Sequence, residues 1–475
     1  MPFTDFTFAL FFFGVAVLYH LMVGRSRRIM LLAASLVFYL YCGWAAALVA
    51  VGMCLAVWWA ARSRSRLTAG IVLTLAWLVV CKLLGSAVIS GLSSSGLHAI
   101  QPIGLSFLVF RLIAYLVDVR RGMVSPFSRP DDLLLFALFF LEAPSGPIER
   151  TSDLWPQLQK AQRLTLAAVF TGIQQIVLGL FKKLVIADTA AQLVNEVYAH
   201  PGSFAGFQVL VAAVYYSIQI YADFSGYTDI ALGYGRILGL RLALNFDRPY
   251  FAESIAEFWR RWHITLSNWL RDYLYAPVNW WFFQRWSTGR VWGIRSEYLV
   301  YSMSIFMTYL VCGLWHGIGW TFLLWGGLHG VYLIVSNLLR PYRNSWRKRL
   351  RKRPRLLPLQ RGFDRLIVFA LITLAWVFFR ADSLPNAITI VRQILTPGAI
   401  SAGMLYLGIS RVTFIVWAMG LVCLGVLELR ARESGFDGLF ARIPSAVRSV
   451  LILLMALTVL FFGDFSTGHF IYFDF

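Results

Sequence analysis

Of 475 residues, 59% are hydrophobic and only 14% are charged, which excludes an ordinary soluble domain, where about a quarter of residues carry charge. The formal net charge of +20 would suit a nucleic-acid binder. The basic residues instead cluster in the short links between apolar runs, which sets nucleic acid aside and makes membrane lipid the expected partner of the basic surface.

In chain order, apolar runs lie near residues 8–23, 29–44, 46–60, 68–89, 100–117, 133–143, 164–187, 204–220, 299–314, 321–339, 366–379, 412–429 and 447–462. They predict an all-α, polytopic integral membrane protein of about ten to twelve helices, with re-entrant or interfacial pieces where a run is short or punctuated. The first run is not read as a cleavable signal, because "MPFTDF" has no basic n-region and "RSRR" follows the run. The basic clusters at 25–28, 62–66, 120–121, 340–365 and 430–432 all fall on one side if the second and third runs form a hairpin turning near Gly43. With that side cytoplasmic, both termini are expected to be extracytoplasmic. The densest run, "RPYRNSWRKRLRKRPR" at 340–355, reads as a cytoplasmic, lipid-facing loop.

The middle of the chain holds the unusual chemistry. "GLFKKLVIAD" sets Lys182 and Lys183 in an apolar run, from which they are expected to snorkel to the inner interface. "YADFSGYTD" places Asp223 and Asp229 beside a glycine at membrane depth, where acids are costly and are either paired, with Arg or backbone donors, or functional. "SIAEFWRRWHITLSNWLRDYLY", 254–275, opens on a capping box of Ser254 and Glu257. Ile255, Phe258, Trp259, Trp262, Leu266, Trp269, Leu270 and Tyr273 then share one helical stripe, and Glu257 and Arg261 form an i,i+4 pair. This predicts one amphipathic interfacial helix with His263 at the border of its apolar and charged faces.

No Walker loop, H-E-x-x-H or nucleophile elbow is present, and "GYGRILG" has the wrong glycine spacing for a dinucleotide site. The five cysteines are scattered. His316 and His329 stand where a hairpin would bring them near each other, but without Cys or carboxylate partners no metal is expected. "VCGLWHGIGW" carries His316 between two apolar runs, flanked by Gly313, Gly317 and Gly319. From the residues alone, two readings stay open. His316 is either a packing histidine between closely approaching helices or a general base poised near neutral pH, suited to acyl transfer.

Seven stretches run in order from about residue 100 to 330: "PIGLSFLVFRLIAYLVDVRRG", "SGPIER", "GLFKKLVIAD", "YADFSGYTDIALG", "NFDRPY", "EFWRRWHITLSNWLRDYLY" and "GLWHGIGWTFLLWGGLHG". With "LAWVFFRADSL" at 374–384, they resemble the membrane-bound O-acyltransferase (MBOAT) family. The nearer likeness is to its alginate O-acetylation branch, and the more distant one to the teichoic-acid D-alanylation membrane proteins. The chain departs from the alginate-type pattern at "FLEAPSGPIER" and "APVNWWFFQRW".

The resemblance implies one membrane-embedded domain over 1–475: N-terminal helices at 1–99, a catalytic core at 100–330, and the basic loop, last helices and tail at 331–475. It implies helices ringed around a thinned core, with funnels from both faces meeting near His316 as catalytic histidine. His263 is then the second histidine of the W-R-R-W-H motif. Trp262, Arg260, Arg261, Trp315, Asp223 and Asp229 form the supporting core. The implied donor is acetyl-CoA as substrate, with no bound cofactor. The closing "FIYFDF" resembles an acyl-accepting tail, so Tyr472 is expected to accept acetyl on the outer side. An extracytoplasmic SGNH, serine-hydrolase-like acetyltransferase would then pass it to an exopolysaccharide, beside a polysaccharide synthesis and secretion complex in a bacterial inner membrane. The alternatives are D-alanyl-type transfer from a carrier protein, or a transporter, which predicts an inverted internal repeat that the sequence does not display.

Overall fold

The structure is a computed structural model that describes residues 1–85, 104–143, 146–160, 165–204, 206–286, 289–291, 293–396, 405, 408–431 and 433–465. Among the described residues, the strands are Arg290–Val291 and Ile294–Arg295, an antiparallel pair. Eight helical stretches are long and apolar enough to cross a membrane, and Phe6–Leu21 is a shorter apolar helix. This is a multi-pass membrane protein. The last span, Ser445–Phe462, illustrates the pattern: Leu453, Leu454, Leu460 and Phe461 are exposed, an apolar surface suited to lipid.

Cα packing divides the chain into two compact units. The first comprises Met1–Leu184, Asp223–Leu244 and the described residues from Ile443 onward. Phe3 stacks on Tyr227 at 4.8 Å, and Phe12 packs on Tyr234 at 4.3 Å. The Leu166–Leu180 helix meets the Gly226–Gly233 stretch through four glycines. A Cβ on Gly172 would stand 2.7 Å from the Gly233 carbonyl oxygen, and one on Gly226 would stand 2.7 Å from that of Gly179. Such contacts let backbones approach closely where hydrophobic burial drives nothing.

That approach settles the lysines and acids differently from expectation. Lys182 and Lys183 do not snorkel; they are 4% and 2% exposed. Lys182 pairs with Asp229 at 2.8 Å, with Gln175 donating to the same carboxylate at 3.1 Å, and Lys183 pairs with Asp223 at 2.6 Å. Each acid therefore has a lysine from the neighbouring helix as a partner, which the sequence did not display. A π-helical turn over Phe181–Ala187 widens the helix at this point, a local departure that re-aims side chains. The apolar run at 133–143 is also less regular than predicted: the helix is only Pro130–Leu138, and Phe139, Phe140 and Leu141 follow it fully buried outside any helix. Glu142 then pairs with the buried Arg111 at 2.7 Å.

The second unit comprises Val185–Ala222 and Asn245–Arg442. Its centre is a hairpin of two spans, Ser296–His316 and Trp320–Leu338. A Cβ on Gly313 would collide with the Phe322 carbonyl, and one on Gly326 with that of Tyr309. The Leu357–Arg380 helix packs against the second limb. The single amphipathic helix expected over 254–275 is broken. Ile255–Arg261 ends, His263 turns with φ at 40°, Ile264–Trp269 resumes, and Leu270–Tyr275 is a π turn. Ser254 caps the first piece as expected, its Oγ accepting from the Glu257 amide at 3.2 Å, but the Glu257 carboxylate reaches back to the amide of Glu253, one residue before the cap, at 2.8 Å. The expected basic loop at 340–355 is helical over Arg340–Leu350, and Arg347 bridges Glu253 and Asp364 at 2.9 and 2.7 Å.

Candidate active site

The site grows out of the hairpin. His316 is the last residue of its span and is 4% exposed, because the chain leaves the helix through Gly317 in extended backbone and re-enters one at Trp320. Its ring is walled by aromatic edges: Trp315 at 4.4 Å, Trp325 at 5.0 Å and Phe379 at 5.0 Å between centroids. Trp376 adds to the wall, 5.9 Å from Trp325 and 5.3 Å from Phe379. This is an imidazole held in a low-dielectric cup. A base in such a cup meets little competing water, which strengthens its interaction with a hydroxyl brought to it.

The same cluster reaches the W-R-R-W-H segment. Trp262 lies 5.0 Å from Trp376 and stacks on Phe258 at 5.5 Å. The ring of His263 is fully buried, not at a face border as expected. Asn245 holds its turn: the Asn245 Oδ1 accepts from His263 Nδ1 at 3.3 Å and from Thr265 Oγ1 at 2.6 Å, while the Asn245 carbonyl accepts from the Ile264 amide at 2.9 Å. A left-handed φ on a residue with a side chain is strained, and these bonds are what hold it. Burial pulls the His263 imidazole down to about 3, so the ring is neutral.

His329 is the residue that sequence reasoning weighed only as a metal ligand. It is fully buried one step further along the hairpin, its ring 4.8 Å from Trp325, and its Nδ1 accepts the indole N–H of Trp259 at 3.2 Å. Its spacing of thirteen from His316 across a three-residue turn was a signal for a shared aromatic neighbour, and Trp325 is that neighbour. Among the described residues no group of three His, Cys, Asp or Glu is placed to hold a metal ion.

The other predicted residues are dispersed. Trp315 is half-buried against His316. Arg261 is half-buried and pairs with Glu257 at 2.6 Å. Arg260 is exposed, so it is not part of a core; it falls on the face of the short helix that Trp259 and Phe258 leave free. Asp223 and Asp229 belong to the first unit, each bound to a lysine there. Tyr472 lies outside the described residues.

The model of the MBOAT, membrane-bound O-acyltransferase family matches residues 49–377, more than half of the chain and a range that holds His263, His316 and His329. The chain belongs to the membrane-bound O-acyltransferase family. A "Peptidoglycan O-acetyltransferase" of Helicobacter pylori is 34% identical over 331 residues, covering 64% of this chain and 59% of its own length. A "Probable alginate O-acetylase AlgI" of Pseudomonas putida is 30% identical over 498 residues, 96% of both chains. A "Teichoic acid D-alanyltransferase" of Bacillus subtilis is 29% identical over 254 residues, 53% of this chain and 62% of its own. The chain thus spans less than two thirds of the Helicobacter and Bacillus proteins that it matches.

Proposed function

We propose that the chain is an O-acetyltransferase that takes an acetyl group from a thioester, acetyl-CoA, at the cytoplasmic face of a bacterial inner membrane and delivers it to a hydroxyl on the outer side. The observation that carries this reading is His316, buried among Trp315, Trp325 and Phe379 at the turn between two spans. His316 takes the proton of the acceptor hydroxyl as its oxygen bonds to the acyl carbon. The carbon–sulfur bond then breaks, and the departing thiolate recovers the proton from the imidazole. Tyr472 is the first acceptor, on an extracytoplasmic tail. An SGNH-type acetyltransferase outside the membrane moves the acetyl group on to an exopolysaccharide, within a polysaccharide synthesis and secretion complex. Support comes from the relatives named for peptidoglycan and alginate acetylation. His263, held by Asn245, is the second histidine of the site. D-alanyl transfer from a carrier protein is the second reading, favoured by the Bacillus subtilis relative.

The test uses purified protein in lipid nanodiscs with radiolabelled acetyl-CoA, followed by mass spectrometry of the C-terminal peptide. The expected result is acetyl on Tyr472, absent from Tyr472→Phe and from His316→Ala. Label on no residue with acetyl-CoA, but transfer from a D-alanyl carrier, would replace the acetyl reading with the second one. Polymer movement without any acyl transfer would point to a transporter.

A further inference from the structure

The Arg340–Leu350 helix carries Arg340, Arg343 and Arg347 on one face, at spacings of i, i+3 and i+7. Arg347 is committed to Glu253 and Asp364, and Arg361 and Arg365 also reach Glu253, at 3.8 and 3.4 Å. Arg343 stands apart from this network. The carboxylates that act on it are Asp364 and Glu257, and both are already held. Asp364 bonds to Arg347 and accepts from Gln360 at 2.8 Å, while Glu257 bonds to Arg261 and to the Glu253 amide. The charges that act on Arg343 from its own helix, Arg347 and Arg340, are both positive. The side chain is half-buried, and its Nε is buried with no hydrogen-bond partner among the described residues. Burial, then the Arg347 charge, push the guanidinium's pKa down. A half-buried cation beside further cations, with the facing carboxylates engaged elsewhere, is complementary to an anion, and a guanidinium fork fits phosphate best.

The surrounding surface favours a phosphate carried by lipid. Tyr342 and Trp346, one turn apart on the adjoining face, are exposed, and the Trp346 indole is fixed by donating to Gln360 at 3.0 Å. Leu359 and Phe363 are exposed on the helix that follows. Exposed Tyr and Trp between basic and apolar side chains belong at headgroup depth. We propose that Arg340 and Arg343 hold the phosphate of one anionic phospholipid, with Tyr342 and Trp346 beside the start of its chains. This is a defined site rather than a general attraction of the basic run. Arg347 of the same run is bound to protein, and Lys348 lies about 140° round the helix from Arg343. A phosphate on Arg343 also offsets its repulsion of Arg347, which holds Glu253 just before the Ser254 cap of the W-R-R-W-H segment. The site does not depend on the acyl-transfer reading.

The test titrates delipidated full-length protein in detergent with phosphatidylglycerol or phosphatidylcholine and follows binding by native mass spectrometry. The first phosphatidylglycerol is expected to bind at least about fivefold more tightly than phosphatidylcholine. Arg343→Gln is expected to weaken it about fivefold, the worth of one basic residue at an anionic surface. Lys348→Gln removes the same charge from the same helix and is expected to stay within about twofold of wild type. Equal weakening by the two variants overturns the site in favour of diffuse attraction, as does Arg343→Gln without effect or a wild type indifferent to headgroup. Arg340→Gln repeats the test should Arg343→Gln fail to fold. In phosphatidylcholine nanodiscs, added phosphatidylglycerol should raise the unfolding temperature of wild type more than that of Arg343→Gln. An equal rise of wild type with inorganic phosphate alone would assign the cluster to a soluble ligand and overturn the lipid.

Discussion

Gly326 stands so close to Tyr309 that a Cβ on it would overlap the Tyr309 carbonyl, so the two limbs of the central hairpin touch backbone to backbone. Gly326→Ala must push the limbs apart or distort them. The expected cost is about 1–3 kcal/mol, as for other overpacked sites, read as a lowered unfolding temperature in detergent. Gly327, next along the chain, has only an ordinary contact to Leu310. Gly327→Ala should be neutral, and equal effects of the two substitutions would contradict the close approach.

His316→Ala should lower acyl transfer by a factor on the order of 10²–10⁴, the usual contribution of a positioned acid–base group. The size-exclusion profile should stay that of wild type, while removal of a ring buried among three aromatics should lower the unfolding temperature without unfolding the protein. Residual activity within tenfold of wild type would remove the base from the mechanism.

His263 makes stability depend on acidity in a defined direction. Its folded value, about 3, lies below the ordinary value of 6.5, so between these limits the unfolded chain binds a proton that the folded ring does not. Stability is thus intact above pH 6.5 and declines as pH falls below it, by at most about 1.4 kcal/mol per pH unit from this group. The difference in unfolding temperature between pH 7 and pH 5 should shrink in His263→Gln. An unchanged difference would mean that the ring titrates in the folded state.

Lys183 and Asp223 are a buried pair, so breaking it and deleting it should differ. Lys183→Met alone takes the cation from a buried carboxylate and should cost about 3–5 kcal/mol. The double variant Lys183→Met with Asp223→Leu should recover most of that loss. If it does not, the charges serve more than each other.

Sequence periodicity revealed the spans and the hairpin at His316, because both depend on runs of apolar residues that a single chain displays. The ordered motifs pointed to His316 and His263. What stayed hidden depended on partners distant in sequence. Nothing in "GLFKKLVIAD" shows that two aspartates on another helix will meet its lysines, and a hydropathy window sends them to the interface. The stripe from Ile255 to Leu270 is buried much as its periodicity suggested, yet no Gly or Pro marks the turn at His263; its determinant is Asn245, eighteen residues away. His329 was legible as a histidine near His316, but its tautomer is set by Trp259, seventy residues earlier.

The paired lysines also bear on how the protein is made. The segment with Lys182 and Lys183 is synthesised before the one with Asp223 and Asp229, so the two cations reach the membrane before their counterions have been made. A positive charge near the centre of a span disfavours its insertion by about 2.5–3.5 kcal/mol. Residues 166–199 are therefore poorly suited to insert and settle alone. They fit a route in which this stretch waits at the translocation machinery, or in the interface, until Asp223 and Asp229 emerge and the two helices enter as a neutralised pair.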